Sequence, residues 1–212
     1  MLYNVTEIMR DVRVAMDQND IDAQLIAEND TDTLELNEII ESKIIQGVRL
    51  VHEAAPARLL EEGHSFGDEL YWDGRESGHV LLPDDFMRLV AFRMSDWERT
   101  VYSAITPADP RYARQSSRLK GIRGNPQKPV AVIVNRAEGK ALEFYSCKSE
   151  DAQVATATYL PYPIIDSDGG IDISERCYEA VIYTIAGLVA ATYGDAQKAA
   201  AMNETAKGLI HD

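Results

Sequence analysis

Two adjacent carboxylates, Asp84 and Asp85, stand after Pro83 and just ahead of an apolar run. Paired carboxylates can divide general acid and general base work when a pocket drives their pKa values apart. With His79 nearby they frame one functional alternative, an enzyme of unspecified type with an acidic site at Asp84 and Asp85. A turn before a strand accounts for the same pair without any chemistry. The histidines His52, His64, His79 and His211 have no partner at HExxH or CxxC spacing. They read as solvated or hydrogen-bonded side chains, because a zinc site needs three or four convergent ligands. Asp166, Asp168, Gly169, Gly170 and Asp172 match the opening of a calcium loop, but Cys177 occupies the place of its bidentate glutamate. A turn followed by a helix cap explains them. Gly121 and Gly124, in KGIRGNPQK, do not follow an apolar strand and make a poor phosphate cradle. No Walker lysine or glycine-rich dinucleotide turn occurs. The sequence therefore predicts no catalytic residue, no metal and no cofactor.

A different chemistry is written into residues 111–136. Arg111, Arg114, Arg118, Lys120, Arg123, Lys128 and Arg136 supply seven positive charges with no acid among them. The whole chain has 21 Lys and Arg against 35 Asp and Glu, a net charge of −14. Without this stretch, 14 bases face 35 acids, a balance of −21. Such segregation predicts contact with something acidic, either another protein subunit or DNA. Arg111, Arg114, Arg118, Lys120, Arg123 and Lys128 are the candidate contact residues. A nucleic-acid-binding accessory protein using 111–136 is the second alternative. Against it, the overall acidity disfavours general affinity for nucleic acid or membrane surfaces. Single-strand binding would need aromatics among the basic residues, and only Tyr112 lies inside the stretch. Tyr71, Trp72, Trp97, Tyr102 and Tyr145 read mostly as core.

The elements that must position these groups fall into three blocks. Residues 1–62 read as helices. Val5, Ile8, Met9, Val12, Ala15 and Met16 recur at helical spacing after Asn4, with Glu7 completing a start signal. Leu36, Ile39, Ile40, Ile44, Val48, Val51 and Ala55 mark a second, longer helix ending near Pro56. Residues 63–163 read as a mainly antiparallel β region, with strands at 86–94, 101–105, 130–134, 141–146 and 154–160. The second-last pair forms a hairpin through a glycine turn. Within it, 107–129 reads as a long loop with one helical turn at 110–116. Residues 164–212 return to helix. Asp172 with Glu175 predicts a capping box, and Tyr178, Val181, Ile182, Ile185, Leu188, Val189 and Thr192 form the stripe behind it. Gly194 stops that helix and Asp195 caps the next, lined by Ala196, Ala199, Ala200, Ala206 and Leu209. The expected class is α+β, with amino- and carboxy-terminal helices packed together and the β region between them.

Composition agrees with a globular chain of one domain or two small ones, 45% apolar. Cys147 and Cys177 are too few and too far apart for a disulfide framework, which fits a cytosolic history. The start MLYNVTEIMRDV has no basic region followed by an apolar run, so no signal peptide is expected. No apolar stretch approaches the roughly 18–20 residues that span a bilayer.

Three segments carry a resemblance: the amino-terminal helical pair, GHVLLPDDFMRLVAFRMSDWERTVYSAI with DPRYARQSSRLKGIRGNPQKPVAVIV after it, and RCYEAVIYTIAGLVAATYGDAQKAAAMNETAKGLI. Together they resemble head-to-tail connector (adaptor) proteins of tailed bacteriophages. The central segment is similar to ring proteins below the portal, including those of crAss-like phages. The resemblance implies a virion protein assembled in the bacterial host cytoplasm. It implies a homo-oligomeric ring, a dodecamer in the family's usual form, docked on the portal protein. The ring would extend the channel for DNA, and loops or termini would bind tail or neck proteins. No enzyme activity, cofactor or membrane contact is implied. A heterologous ring repeats one acidic-to-basic contact around a closed circle, which is what the segregated charge would supply.

Overall fold

The computed structural model describes residues 1–16, 36–60, 63–74, 76–115, 117, 119 and 125–211. In chain order the elements are β1 (Leu2–Asn4), α1 (Val5–Ala15), α2 (Leu36–Ala54), β2 (His64–Ser65), β3 (Tyr71–Gly74), β4 (Ser77–Leu81), β5 (Phe86–Met94), α3 (Pro110–Gln115), β6 (Ala131–Arg136), β7 (Gly139–Phe144), β8 (Val154–Pro161), β9 (Gly170–Asp172), α4 (Tyr178–Thr192) and α5 (Ala196–His211). The class is α+β, and the strands pair antiparallel. The chain divides into two compact units: Met1–Glu62 with Tyr162–Asp212, and Gly63–Pro161.

The first unit is helical. Asn4 starts α1 by accepting a 2.8 Å hydrogen bond from the Thr6 amide, which satisfies a donor that the first turn would leave unpaired. Ile8 and Val12 on α1, and Ile40, Ile44 and Val48 on α2, are fully buried, as a stripe of period 3.6 requires. Ile39 is only half-buried. Helix α4 buries Val181, Ile182, Ile185 and Val189 together with Ala180, Ala186 and Ala190 on other faces. Burial all round marks a central helix, and α4 packs against α1, α2 and α5. Gly47 of α2 meets Ile185 so closely that a Cβ there would overlap Ile185 Cγ1. Gly194, at φ +78°, ends α4, and Asp195 Oδ1 accepts from the Lys198 amide at 2.9 Å to start α5. Ala199, Ala206 and Ile210 are the buried side of α5, while Ala196 and Ala200 face solvent.

The expected Asp172–Glu175 capping box does not form. Residues 170–172 pair with β1, Leu2 opposite Asp172, so their backbone is committed to a ribbon. Helix α4 begins only after a short 3-10 turn, Glu175–Cys177, and the Ser174 hydroxyl is turned to the Leu59 carbonyl at 2.6 Å. His52 explains part of this arrangement. It is buried, and its Nε2 accepts from the Ser174 amide at 3.3 Å, a structural role at the end of α2.

The second unit holds two antiparallel sheets, ordered β2-β8-β5 and β3-β4-β7-β6. Phe66, Phe86, Phe92, Trp97, Leu142 and Phe144 lead one shared core. Strand β5 occupies the predicted residues 86–94, and the β6–β7 hairpin turns between Arg136 and Gly139. Strands β3 and β4 had no counterpart among the predicted ones.

Residues 101–105 are not a strand. Val101 makes one antiparallel bridge to Phe92 on β5, and Ile105 makes one parallel bridge to Val132 on β6. β5 and β6 are the edge strands of their sheets, so this segment crosses from one free edge to the other and cannot stay in register with either. The expected helical turn at 110–116 is α3, started by Asp109 and Pro110. Its last residue, Gln115, is buried and accepts at Oε1 from the Ser146 hydroxyl at 3.0 Å.

Candidate functional site

The structure separates the basic segment into paired and unpaired charges. Arg111 forks onto Asp109, Nε to Oδ1 at 3.0 Å and Nη2 to Oδ2 at 2.8 Å, while its amide caps the same Oδ1 at 2.8 Å. These contacts pull the Asp109 carboxyl down to about 2. Arg136 is also committed: Nη2 donates to Asp73 Oδ2 at 2.5 Å and to Glu143 Oε1 at 2.7 Å. Arg114 and Lys128 are exposed and have no side-chain partner among the described residues. Arg118, Lys120 and Arg123, and with them Gly121 and Gly124, lie outside the described residues.

A residue from outside the segment joins the unpaired set. Arg99, Arg111 and Lys128 line one open cleft of about 400 Å³ in the second unit. Thr100, Ser103 and Gln127 add polar groups, Val101, Ile105, Pro129, Val130 and Ala131 supply apolar wall, and among the described residues no Asp or Glu is part of the lining. Arg99, like Lys128, has no side-chain partner among the described residues. Local turn chemistry builds this arrangement. Asn125 Oδ1 accepts from the Gln127 amide at 3.0 Å, and its carbonyl accepts from the Lys128 amide at 2.9 Å, which fixes the bend that carries Lys128. The Glu98 amide donates to the Pro126 carbonyl at 2.9 Å, and the Ile105 amide to the Ala131 carbonyl at 2.9 Å, so residues 98–105 lie along 126–131.

The residues of the enzymatic alternative have other partners. Asp84 and Asp85 sit in the tight turn between β4 and β5, where the Phe86 amide donates to the Pro83 carbonyl at 3.0 Å. Asp85 Oδ1 accepts from the Tyr159 hydroxyl at 2.8 Å. His79 is buried; its Nδ1 lies 3.0 Å from Asp73 Oδ2, and its ring stacks on Tyr71 at 5.2 Å. Asp73, His79, Arg136, Glu143 and Tyr145 thus form one polar brace across β3, β4, β7 and β6, with the Tyr145 hydroxyl donating to Glu143 Oε2. Partial burial works against the charged Asp73 carboxylate, but the hydrogen bonds from Arg136 and His79 outweigh it and hold its pKa below the usual 3.8. Burial and Glu143 push the Tyr145 phenol upward.

The sign of the acid response follows. A depressed carboxyl pKa contributes stability above the unfolded-state value and loses it as pH falls through the folded-state value. The parent is therefore expected to lose melting temperature faster than Asp73→Asn as pH falls below the ordinary carboxyl value of 3.8. Parallel melting curves over that range would show that the brace does not carry this linkage.

Asp166 also has a backbone role: its Oδ1 accepts from the Asp168 and Gly170 amides at 2.9 and 2.7 Å, an Asx turn. Among the described residues no group of three or more His, Cys, Asp or Glu is placed to hold a metal, and no helix is long and apolar enough to cross a membrane. Cys147 and Cys177 are buried thiols outside any disulfide, with burial and Asp96 pushing the Cys147 thiol up to about 12.

The two units differ sharply in charge. The helical unit holds 22 acids against 8 bases, and the β unit 13 against 13, so the whole −14 belongs to the helical unit. The chain matches no protein-family model and no curated protein sequence.

Proposed function

We propose that this chain is a non-catalytic structural subunit of a tailed-phage neck, a virion protein that forms a homo-oligomeric ring between portal and tail and extends the DNA channel. The resemblance of its three segments to connector proteins suggests that setting. The observation that carries the reading is the partition of charge. A strongly acidic helical unit and a neutral β unit with exposed, unpaired cations can repeat one complementary contact around a closed heterologous ring. Without such a contact, copies at −14 would repel one another within a screening length of about 8–10 Å.

The test is the mass of the native assembly, alone and with a portal ring, for the parent and for a triple reversal of Arg114, Arg118 and Arg123 to Glu. The variant is expected to stay folded, because charges in a polar segment contribute little to stability. It is expected to remain monomeric or to fail to dock on the portal. Unchanged assembly with impaired DNA passage would move the basic segment to the channel wall. Unchanged assembly with normal infectivity would remove the charge argument altogether. A parent that stays monomeric and binds DNA with affinity falling steeply in salt would instead favour the accessory nucleic-acid-binding reading.

A further inference from the structure

We propose that the Arg99–Arg111–Lys128 cleft of one copy receives the acidic segment 17–35 of a second copy. This inference rests on the ring reading and names the two surfaces that would meet.

The cleft asks for an anion. Among the described residues Arg99 and Lys128 have no side-chain partner, and none of the described residues lining the cavity is a carboxylate. Arg111 contributes less net charge, because Asp109 already holds its guanidinium. The cleft also asks for carbon, since Val101, Ile105 and Val130 form part of its wall. A polyphosphate backbone would use the cations and leave that wall wet. Single-stranded nucleic acid would look for a stacking platform, and none of the described residues lining the cavity is aromatic.

Residues 17–35 answer both demands. The stretch DQNDIDAQLIAENDTDTLE carries Asp17, Asp20, Asp22, Glu28, Asp30, Asp32 and Glu35, seven acids with no base, which mirrors the seven bases without an acid in 111–136. Its carboxylates are interleaved with Ile21, Leu25, Ile26 and Leu34. An acidic stretch with interleaved aliphatic side chains can seat aliphatic groups on the apolar wall and carboxylates at the basic rim, so complementary charge sets the register.

A charge-swap experiment tests this on the full chain. One variant reverses the cleft (Arg99→Glu with Lys128→Glu), and the other reverses the segment (Asp20→Lys, Asp22→Lys, Asp30→Lys, Asp32→Lys). Each alone should lose the native assembly. Mixed in equal amounts, they should regain it, because every interface in an alternating ring is then complementary. Recovery only when both reversals are placed in one chain would mean that a chain binds its own segment, and would overturn the proposal. A parent that assembles while the mixture does not would also overturn it and leave the ring reading intact. If the parent does not assemble, the ring reading fails and a second readout decides the contact. A labelled peptide of residues 17–35 should then bind the full chain, with affinity falling at least tenfold for the cleft variant. Absence of that binding, or a cleft variant that loses duplex DNA rather than peptide, would overturn the inference. Circular dichroism and thermal melting confirm that both variants fold.

Discussion

Ile185→Asp should abolish the cooperative melting of the helical unit. Ile185 is fully buried at the middle of α4, the helix that touches α1, α2 and α5, and its side chain fills the space left by Gly47. Removing an aliphatic side chain from such a site costs about 2–5 kcal/mol. Placing a carboxylate there adds the penalty of an unpaired buried charge or of its forced protonation. The sum approaches the whole stability of a small domain, about 5–15 kcal/mol. Far-UV circular dichroism reads the result, since most helical residues lie in this unit. Ile185→Val is the control and should cost only about 0.5–1.5 kcal/mol. An aspartate variant melting within roughly two degrees of the parent would show that α4 does not carry this unit.

Phe92→Ala should be nearly as damaging to the β unit. Phe92 is fully buried on β5, stacked with Phe66 at 6.1 Å, edge-on to Trp97 at 5.6 Å and tilted against Phe144 at 6.1 Å. Its truncation opens a void where side chains of both sheets meet, and such changes cost about 3–5 kcal/mol. The chain's tryptophans, Trp72 and Trp97, both lie in this unit, so fluorescence unfolding reports it selectively. A shift in the denaturant midpoint equivalent to less than about 1 kcal/mol would mean that the aromatic cluster is not the centre of this core.

The helical unit was readable because its signal is long and periodic. The Leu36–Ala55 stripe repeats over enough turns that burial on one side is the economical outcome, and the apolar run of Val181–Val189, with alanines between, suits a helix buried on several faces. Strand β5 was readable because FMRLVAFRM is rich in β-formers over nine residues. β3 and β4 were not, since YWDG and SGHVL are short and interrupted by glycine. Residues 101–105 looked like one strand because extended backbone and β-formers say nothing about which edge is paired; two different edges share them. The Asp172 cap failed for a similar reason, a long-range pairing with β1 that no local pattern carries.

The candidate site divides along the same line. Asp109 stands two residues before Arg111, so their pairing was within reach of local reasoning. Arg136 counted among the seven unopposed charges of 111–136 because its partner Asp73 is distant in sequence and meets it only through the β3-β4-β7-β6 sheet. Arg99 was passed over because Glu98 sits beside it and breaks the run of like charge. Only the contacts of 98–105 with 126–131 bring it to Lys128.

The pairing of β2 with β8 bears on the order in which the chain folds. His64 lies opposite Tyr159, so the points where the chain enters and leaves the β unit are neighbours on adjacent strands. Closing a loop of about a hundred residues costs on the order of 4 kcal/mol in chain entropy. Once the β unit has folded, that closure is already made, and α2 and α4 meet as though joined by a short connection. The contiguous β unit can also complete itself during synthesis, before α4 and α5 have left the ribosome. Slowing β-unit folding should therefore delay the helices as well, even with every helical residue unchanged.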